Sequence, residues 1–141
     1  MSPAVTIAQF LSAHNKVRAK HSLPSLTWSN NLANYAKWYA EKRRGDCKLI
    51  HSVLNYGENM FWGMGTRWKP SDAVAAWAVQ ESYYNYRTNT CMRNKECLHY
   101  TQLVWRKTSK VGCAKIKCNS GDTLIICEYD PHGNVIGQRP Y

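Results

Sequence analysis

The sequence predicts a single α+β domain, and three observations carry that reading. Segments of helical periodicity occupy the first two thirds of the 141 residues. Residues 110–118 and 123–130 are β-rich runs joined by Asn119-Ser120-Gly121-Asp122, a strong hairpin signal. Six cysteines, an even number, supply the cross-links that so short a chain can use. With 44% apolar and 20% charged residues the composition excludes disorder, and the longest apolar run, residues 73–79, falls far short of the roughly 20 residues of a membrane span.

Element by element, Thr6-Ile7-Ala8-Gln9 has the form of a capping box, and Ile7, Phe10, Leu11, His14 and Val17 follow at helical spacing. His14 therefore lies on or beside an apolar stripe, as a buried structural histidine; residues 1–5 are expected to be a flexible N-terminus. A second helix starts near Asn30, turns Leu32, Ala36, Tyr39 and Ala40 inward, and ends at Lys42-Arg43-Arg44-Gly45, where cations meet the negative helix end. Between residues 47 and 69 the periodicity is lost, and glycines 57, 63 and 65 suggest loops with at most one short strand. Pro70-Ser71-Asp72 opens a third helix with Ala73, Val74 and Trp77 on one face. Glu81, four residues after Trp77, lands on that same face and needs a partner there, because an unpaired buried charge is costly. A short fourth helix spans residues 98–105.

The absence of any C-x-x-C argues against paired metal knuckles and for three disulfides, hence for an oxidising compartment. A turn centred near Ser120/Gly121 pairs residues whose numbers sum to about 240, which sets Cys113 opposite Cys127. Cys91 and Cys97 flank a short polar loop and suit a local bridge. Of the fifteen pairings open to six cysteines, the one favoured then leaves Cys47 to Cys118. No cationic leader with an apolar core precedes Thr6, so with six cysteines the chain is read as a mature secreted domain whose signal peptide is absent.

Nineteen lysines and arginines against nine acids give a net charge of +10. Clusters at Lys42-Arg43-Arg44, Arg93/Lys95, Arg106-Lys107 with Lys110, and Lys115/Lys117 suit anionic cell-wall or membrane surfaces. Nucleic acid is not expected, since no aromatic RNA-binding motif is present, and a monomer is expected. H-E-x-x-H, G-x-S-x-G, P-loop and G-x-G-x-x-G signatures are all missing. What remains for chemistry is His51, Glu58, Glu81 and His99, whose spacing is not a local metal motif. Two imidazoles and two carboxylates would suit zinc if they converged; equally, they would satisfy one another as a polar cluster.

His99-Tyr100-Thr101-Gln102-Leu103-Val104-Trp105-Arg106, running on to Val111-Gly112-Cys113-Ala114, resembles the main signature of the CAP superfamily of cysteine-rich secretory, antigen 5 and pathogenesis-related 1 proteins. Three more segments match it: His14-Asn15-Lys16-Val17-Arg18, Gly57-Glu58-Asn59-Met60, and Cys127-Glu128-Tyr129-Asp130-Pro131-His132-Gly133-Asn134. The cysteine layout and the ending Ile136-Gly137-Gln138-Arg139-Pro140-Tyr141 are similar to the plant pathogenesis-related group 1 branch. The resemblance covers the whole chain in order. It implies a three-layer α-β-α sandwich whose cleft gathers His51, Glu58, Glu81 and His99, and it suggests the same three disulfides.

For function, the resemblance implies a secreted, non-enzymatic plant defence protein, extracellular (apoplastic) or vacuolar, that needs no cofactor. It acts through sterol or other lipid, or as the precursor of a signalling peptide, residues 131–141, cut by a protease between Asp130 and Pro131. One departure bears on sterol: an aromatic-rich loop before the last cysteine is implicated in related sequences, and residues 119–126 here hold no aromatic. The alternative is a metal-dependent hydrolase with His51 and His99 as zinc ligands and Glu58 or Glu81 as general base.

Overall fold

The computed structural model describes residues 3–53 and 55–141. In chain order its elements are α1 (Pro3–Ala19), β1 (Thr27–Trp28), α2 (Asn30–Lys42), β2 (Gly57–Gly63), α3 (Pro70–Ala78) continued by a 3-10 turn (Val79–Tyr83), β3 (Tyr84–Asn85), β4 (Thr90–Cys91), α4 (Leu98–Leu103), β5 (Lys110–Lys117) and β6 (Thr123–Asp130). One four-stranded sheet runs β1-β5-β6-β2, with β1 parallel to β5 and the other pairs antiparallel. The small β3–β4 ribbon stands apart from it.

Period-2 alternation sorts the sheet's side chains between two cores. Odd-numbered Val111, Cys113, Ile125, Cys127 and Tyr129 join Phe10, Trp77, Tyr100 and Leu103 under α1, α3 and α4. Even-numbered Ile116, Leu124 and Ile126, with Met60, meet Ala36, Tyr39 and Ala40 of α2 on the opposite face. The result is the expected α-β-α sandwich. The hairpin register is the one the turn dictates, Cys113 opposite Cys127, and the disulfides are Cys47–Cys118, Cys91–Cys97 and Cys113–Cys127. In the chain-entropy picture the first of these, closing 71 residues of sequence, restrains the unfolded chain by about 4 kcal/mol.

Helix α2 buries Leu32, Ala36, Tyr39 and Ala40, the four residues its periodicity selects, and Ser29 caps it by accepting from Leu32 N at 3.2 Å. Its first turn lies directly on the sheet at Gly112, where a Cβ would come within 2.2 Å of Ala33 N. Three expectations need correction. Helix α1 begins at Pro3 rather than Thr6, so residues 3–5 form its first turn and the Thr6/Gln9 pair lies inside it; residues 1 and 2 fall outside those described. Proline supplies a preset φ and no superfluous N–H at that position, which is why the helix opens there. The segment assigned mostly to loops contains β2, seven residues long: Gly57 marks a close approach, with a Cβ there meeting Gln102 Oε1 at 2.1 Å, and not a turn. Glu81 is the third correction, taken up below.

The His14-Asn15-Lys16-Val17-Arg18 segment is structural throughout. His14 Nδ1 donates to Phe10 O at 2.8 Å and its Nε2 accepts from the Tyr129 hydroxyl at 2.7 Å, so the buried ring is neutral, and burial lowers its pKa to about 4. Asn15 brackets Leu26, accepting from its N–H at 2.7 Å and donating to its carbonyl at 3.1 Å. Arg18, wholly buried, is ion-paired with no carboxylate among the described residues. Instead its guanidinium donates to the carbonyls of Pro24, Leu103, Trp105, Arg106 and Thr108 at 2.8–3.4 Å. It thereby satisfies the carbonyl end of α4 and the loop into β5, using a planar fork that lysine lacks. Arg18→Met should cost about 3–5 kcal/mol in urea unfolding, because several carbonyls lose their donor at once. Arg18→Lys should recover only part of that, and full recovery would show that charge alone matters.

Candidate functional site

An open cleft of about 270 Å³ lies beside the start of β2, lined by His51, Glu58, Glu96, His99, Gln102, His132 and their neighbours. Three of the four residues expected there are present. Glu58 is nearly covered and fully engaged: Oε1 accepts from His51 Nδ1 at 2.8 Å and from Ser52 N at 2.9 Å, and Oε2 accepts from Ser52 Oγ at 2.6 Å. Burial pushes the Glu58 carboxyl up, but the hydrogen bonds from His51, Glu128 and Ser52 outweigh it and bring it down to about 2. That same bond raises the pKa of His51, whose side chain is 64% exposed. His99 lies parallel to Trp77 at 6.5 Å, and burial lowers its pKa.

Glu81 is not in the cleft. Its side chain is 55% exposed and its partner is His21 Nε2, 3.8 Å away at the far end of α1. The residue that reaches His99 is Gln80: its Oε1 accepts from His99 N at 3.1 Å, and its Nε2 donates to His99 Nδ1 at 2.9 Å. The physical reason is the change of helix type after Ala78. With about three residues per turn, the position three after Trp77 repeats its direction, and the position four after is carried past it. The same amide also brings Oε1 to within 3.3 Å of Nδ1, so it offers that nitrogen both a donor and an acceptor and holds the ring in either tautomer.

A second acid that the sequence did not single out is Glu128. It sits directly opposite Glu58 in the β2–β6 ladder and is wholly buried, and neither of its oxygens receives a hydrogen bond from any described donor. Burial first, and then the Glu58 carboxyl facing it, push the Glu128 pKa far above the carboxylate range. Both effects favour the protonated, neutral form of Glu128. Its signal was available: a carboxyl at the third even position of a strand whose residues 124 and 126 are apolar. His132 and Glu96 complete the cleft wall and were likewise not foreseen.

Of the four residues expected together, His51, Glu58 and His99 line the cleft and Glu81 lies outside it. Among the described residues the only three potential ligand atoms within 4.8 Å of one another belong to His14, Cys113 and Cys127, and both cysteines are in a disulfide. The bond between Asp130 and Pro131 is also held. Asp130 O accepts from Ser109 N at 3.1 Å and Pro131 O from Thr108 Oγ1 at 2.7 Å. Farther along the tail Arg139 donates to the carbonyls of Tyr86 and Arg87, and Arg106 N to Pro140 O at 2.8 Å.

Residues 11–129 match the family described as "CAP: Cysteine-rich secretory protein family". The chain belongs to this family. Over 134 residues it is 49% identical to pathogenesis-related protein PR-1 of Medicago truncatula, covering 94% of this chain and 78% of that protein. Pathogenesis-related protein 1 of Arabidopsis thaliana is 47% identical over 132 residues, 94% of this chain and 80% of its own. Among CAP structures, venom allergen-like protein 4 of Schistosoma mansoni superposes with a TM-score of 0.78 at 28% identity, over 100% of this chain and 95% of that one. NaASP2, solved with Zn2+, gives 0.79 at 22% identity over 100% and 86%, a likeness of fold.

Two predictions follow from the CAP cleft as it stands here. Gln80→Glu leaves only an acceptor beside Nδ1, which holds the imidazole proton there and keeps Nε2 as a lone pair. Zinc titration by calorimetry should show at least about a tenfold gain in affinity over the unaltered protein, the lower end of such second-shell effects; unchanged affinity would refute the tautomer argument. The second concerns pH. His14 has a folded pKa below its unfolded one, so its contribution is lost as pH falls from about 6.5 towards about 4. Glu128 has the opposite sign: its contribution is complete below its unfolded value of 4.5 and drains away as pH rises. Between these values the two slopes oppose; above about pH 6.5 the Glu128 loss continues and that of His51, whose pKa is also raised, adds to it. Melting temperature should thus drop between about pH 6.5 and pH 8.5, and Glu128→Gln, able to donate to Glu58, should make the drop smaller. An equal drop in the variant would contradict the assignment.

Proposed function

We propose that this CAP protein is a secreted, non-catalytic defence protein that works by taking up lipid. The defence role is brought by the pathogenesis-related relatives from Medicago, Arabidopsis and other plants. Three disulfides support an oxidising, extracellular location. The observation that carries lipid uptake is a groove of about 620 Å³ between α1 and α3. Ala13, Val17, Val74 and Ala78 give it an apolar floor, and Lys16 and Lys20 line it as well. Its size and its apolar floor beside a polar rim that includes Gln9, Ser12, Ser71 and Glu81 suit an amphiphile, sterol included, with an anionic or hydroxyl head near the lysines. The smaller cleft at His51 and His99 is polar, and Glu58 in it already accepts three hydrogen bonds, which favours a structural role for it over hydrolysis.

Release of the tail is the weaker reading. A protease needs the Asp130–Pro131 segment extended and free, whereas the carbonyls of both residues accept bonds from the loop before β5. In a titration with a fluorescent sterol, saturable binding at micromolar protein is expected, with a loss of about tenfold or more in Val17→Asp, which puts a charge on the groove floor. No saturable binding of a sterol or a fatty-acyl probe would remove the proposal, and binding indifferent to Val17→Asp would place the ligand elsewhere.

A further inference from the structure

Helix α2 has a second face that the rest of the fold covers only in part. Opposite the buried stripe, Tyr35, Trp38 and Lys42 follow one another at helical spacing. The Tyr35 and Trp38 rings lie 5.7 Å apart, and Lys42 Nζ sits 4.8 Å over the Trp38 ring. The segment after Cys47 runs beside this stripe, tied to it by the hydrogen bond from the Tyr39 hydroxyl to Ile50 O and by the contact of Tyr35 with Ser52. Tyr56 closes the far side, 5.4 Å from Tyr35. On the helix and the segment tied to it, Trp38 is 56%, Leu49 52%, Ile50 47% and Val53 99% exposed. Single exposed apolar residues are ordinary; four large ones gathered around an aromatic row mark an interaction surface.

Charge says which kind of partner fits. The two acids of this region are neutralised internally, Glu41 by Arg44 at 2.7 Å and Asp46 by Arg43 at 3.2 Å. Lys37, Lys42 and Lys48 form no ion pair among the described residues, within a chain of net charge +10. Aliphatic tips, a tryptophan and tyrosines at one level, and lysines around them is the arrangement that sits at the boundary between acyl chains and anionic headgroups. A hydrated acidic polysaccharide would use the lysines but leave Leu49, Ile50 and Val53 without a role. We propose that the outer face of α2 and residues 48–53 form a docking surface for anionic membranes. It is distinct from the α1–α3 groove and does not depend on lipid uptake there.

Co-flotation of the full chain with vesicles tests this, using phosphatidylcholine alone or with about a third phosphatidylserine, the latter giving the negative surface that attracts such lysines. Association is expected with the anionic vesicles only. It should weaken as salt is raised, with a blue shift of tryptophan emission that Trp38→Phe removes. Leu49→Ser/Val53→Ser and Lys42→Gln/Lys48→Gln, all at exposed positions, should each reduce binding at least tenfold with melting temperature unchanged, while Val17→Asp leaves it intact. Four results would overturn the proposal: equal binding to neutral vesicles; no effect of either double variant; binding of polygalacturonate that needs the lysines alone, which would make the partner a polysaccharide; or a concentration-dependent dimer that shields Trp38, which would make the partner a second copy.

Discussion

Strand β6 is buried on both faces, with seven of its eight residues out of solvent, and the rest of the molecule takes its position from that one constraint. Such a strand has no tolerance for slippage: a shift of one residue would exchange every odd side chain with an even one. Leu124 and Ile126 would leave α2, and Ile125, Cys127 and Tyr129 would leave the core beneath α1, α3 and α4. The Cys113–Cys127 bridge fixes the register on one side and β2 on the other. Helix α2 can then lie flat on β5 only because residue 112, opposite Glu128, has no side chain.

Polar groups on adjacent residues of this strand reinforce the register from opposite faces. Tyr129 is held by His14 and Asn59, and Glu128 meets the Glu58 carboxyl. Each pair is tolerable only with its own partner, since an unpaired hydroxyl or carboxyl at the same depth would cost more than the bond returns. They also make opposite demands on protons, His14 kept neutral by releasing one and Glu128 by retaining one. His14 and Glu128 are tolerated at that depth because burial favours the neutral form of each, whereas the buried charge of Arg18 is met by backbone carbonyls.

What the residues themselves announced was whatever a single period governs. The stripe of α2, the hairpin, and the pairing of Cys113 with Cys127 all follow from a repeat of 3.6 or 2 and one turn. The resemblance brought His51, Glu58 and His99 into one cleft that spacing alone could not. Legibility failed where the period changes or where an effect is not local. Gln80 and Glu81 stand on neighbouring directions of an α-helix, and only the tightening to a 3-10 turn decides that the amide and not the carboxylate meets His99. The exposed face of α2 was equally illegible, because residues 48–53 show no periodicity and become a surface only when Tyr39 and Tyr35 fasten them to the helix.

The distribution of satisfied and unsatisfied groups separates the three concave or exposed regions by what they can still do. In the cleft, Glu58 accepts three hydrogen bonds, His99 is held by Gln80, and Gln102 bonds Gly133 and Thr108, so a ligand there must compete with bonds already made. Between α1 and α3, and over the outer face of α2, the reverse holds: apolar side chains are in water, and lysines stand near them without counter-charges among the described ion pairs. Free energy remains to be gained on those two surfaces by burying carbon and meeting negative charge, and little remains in the cleft. Similar reasoning explains why a strongly basic domain need not be a nucleic-acid binder. Where cations surround exposed aliphatic and aromatic groups, the complementary partner has to offer both an anionic layer and an apolar one beneath it.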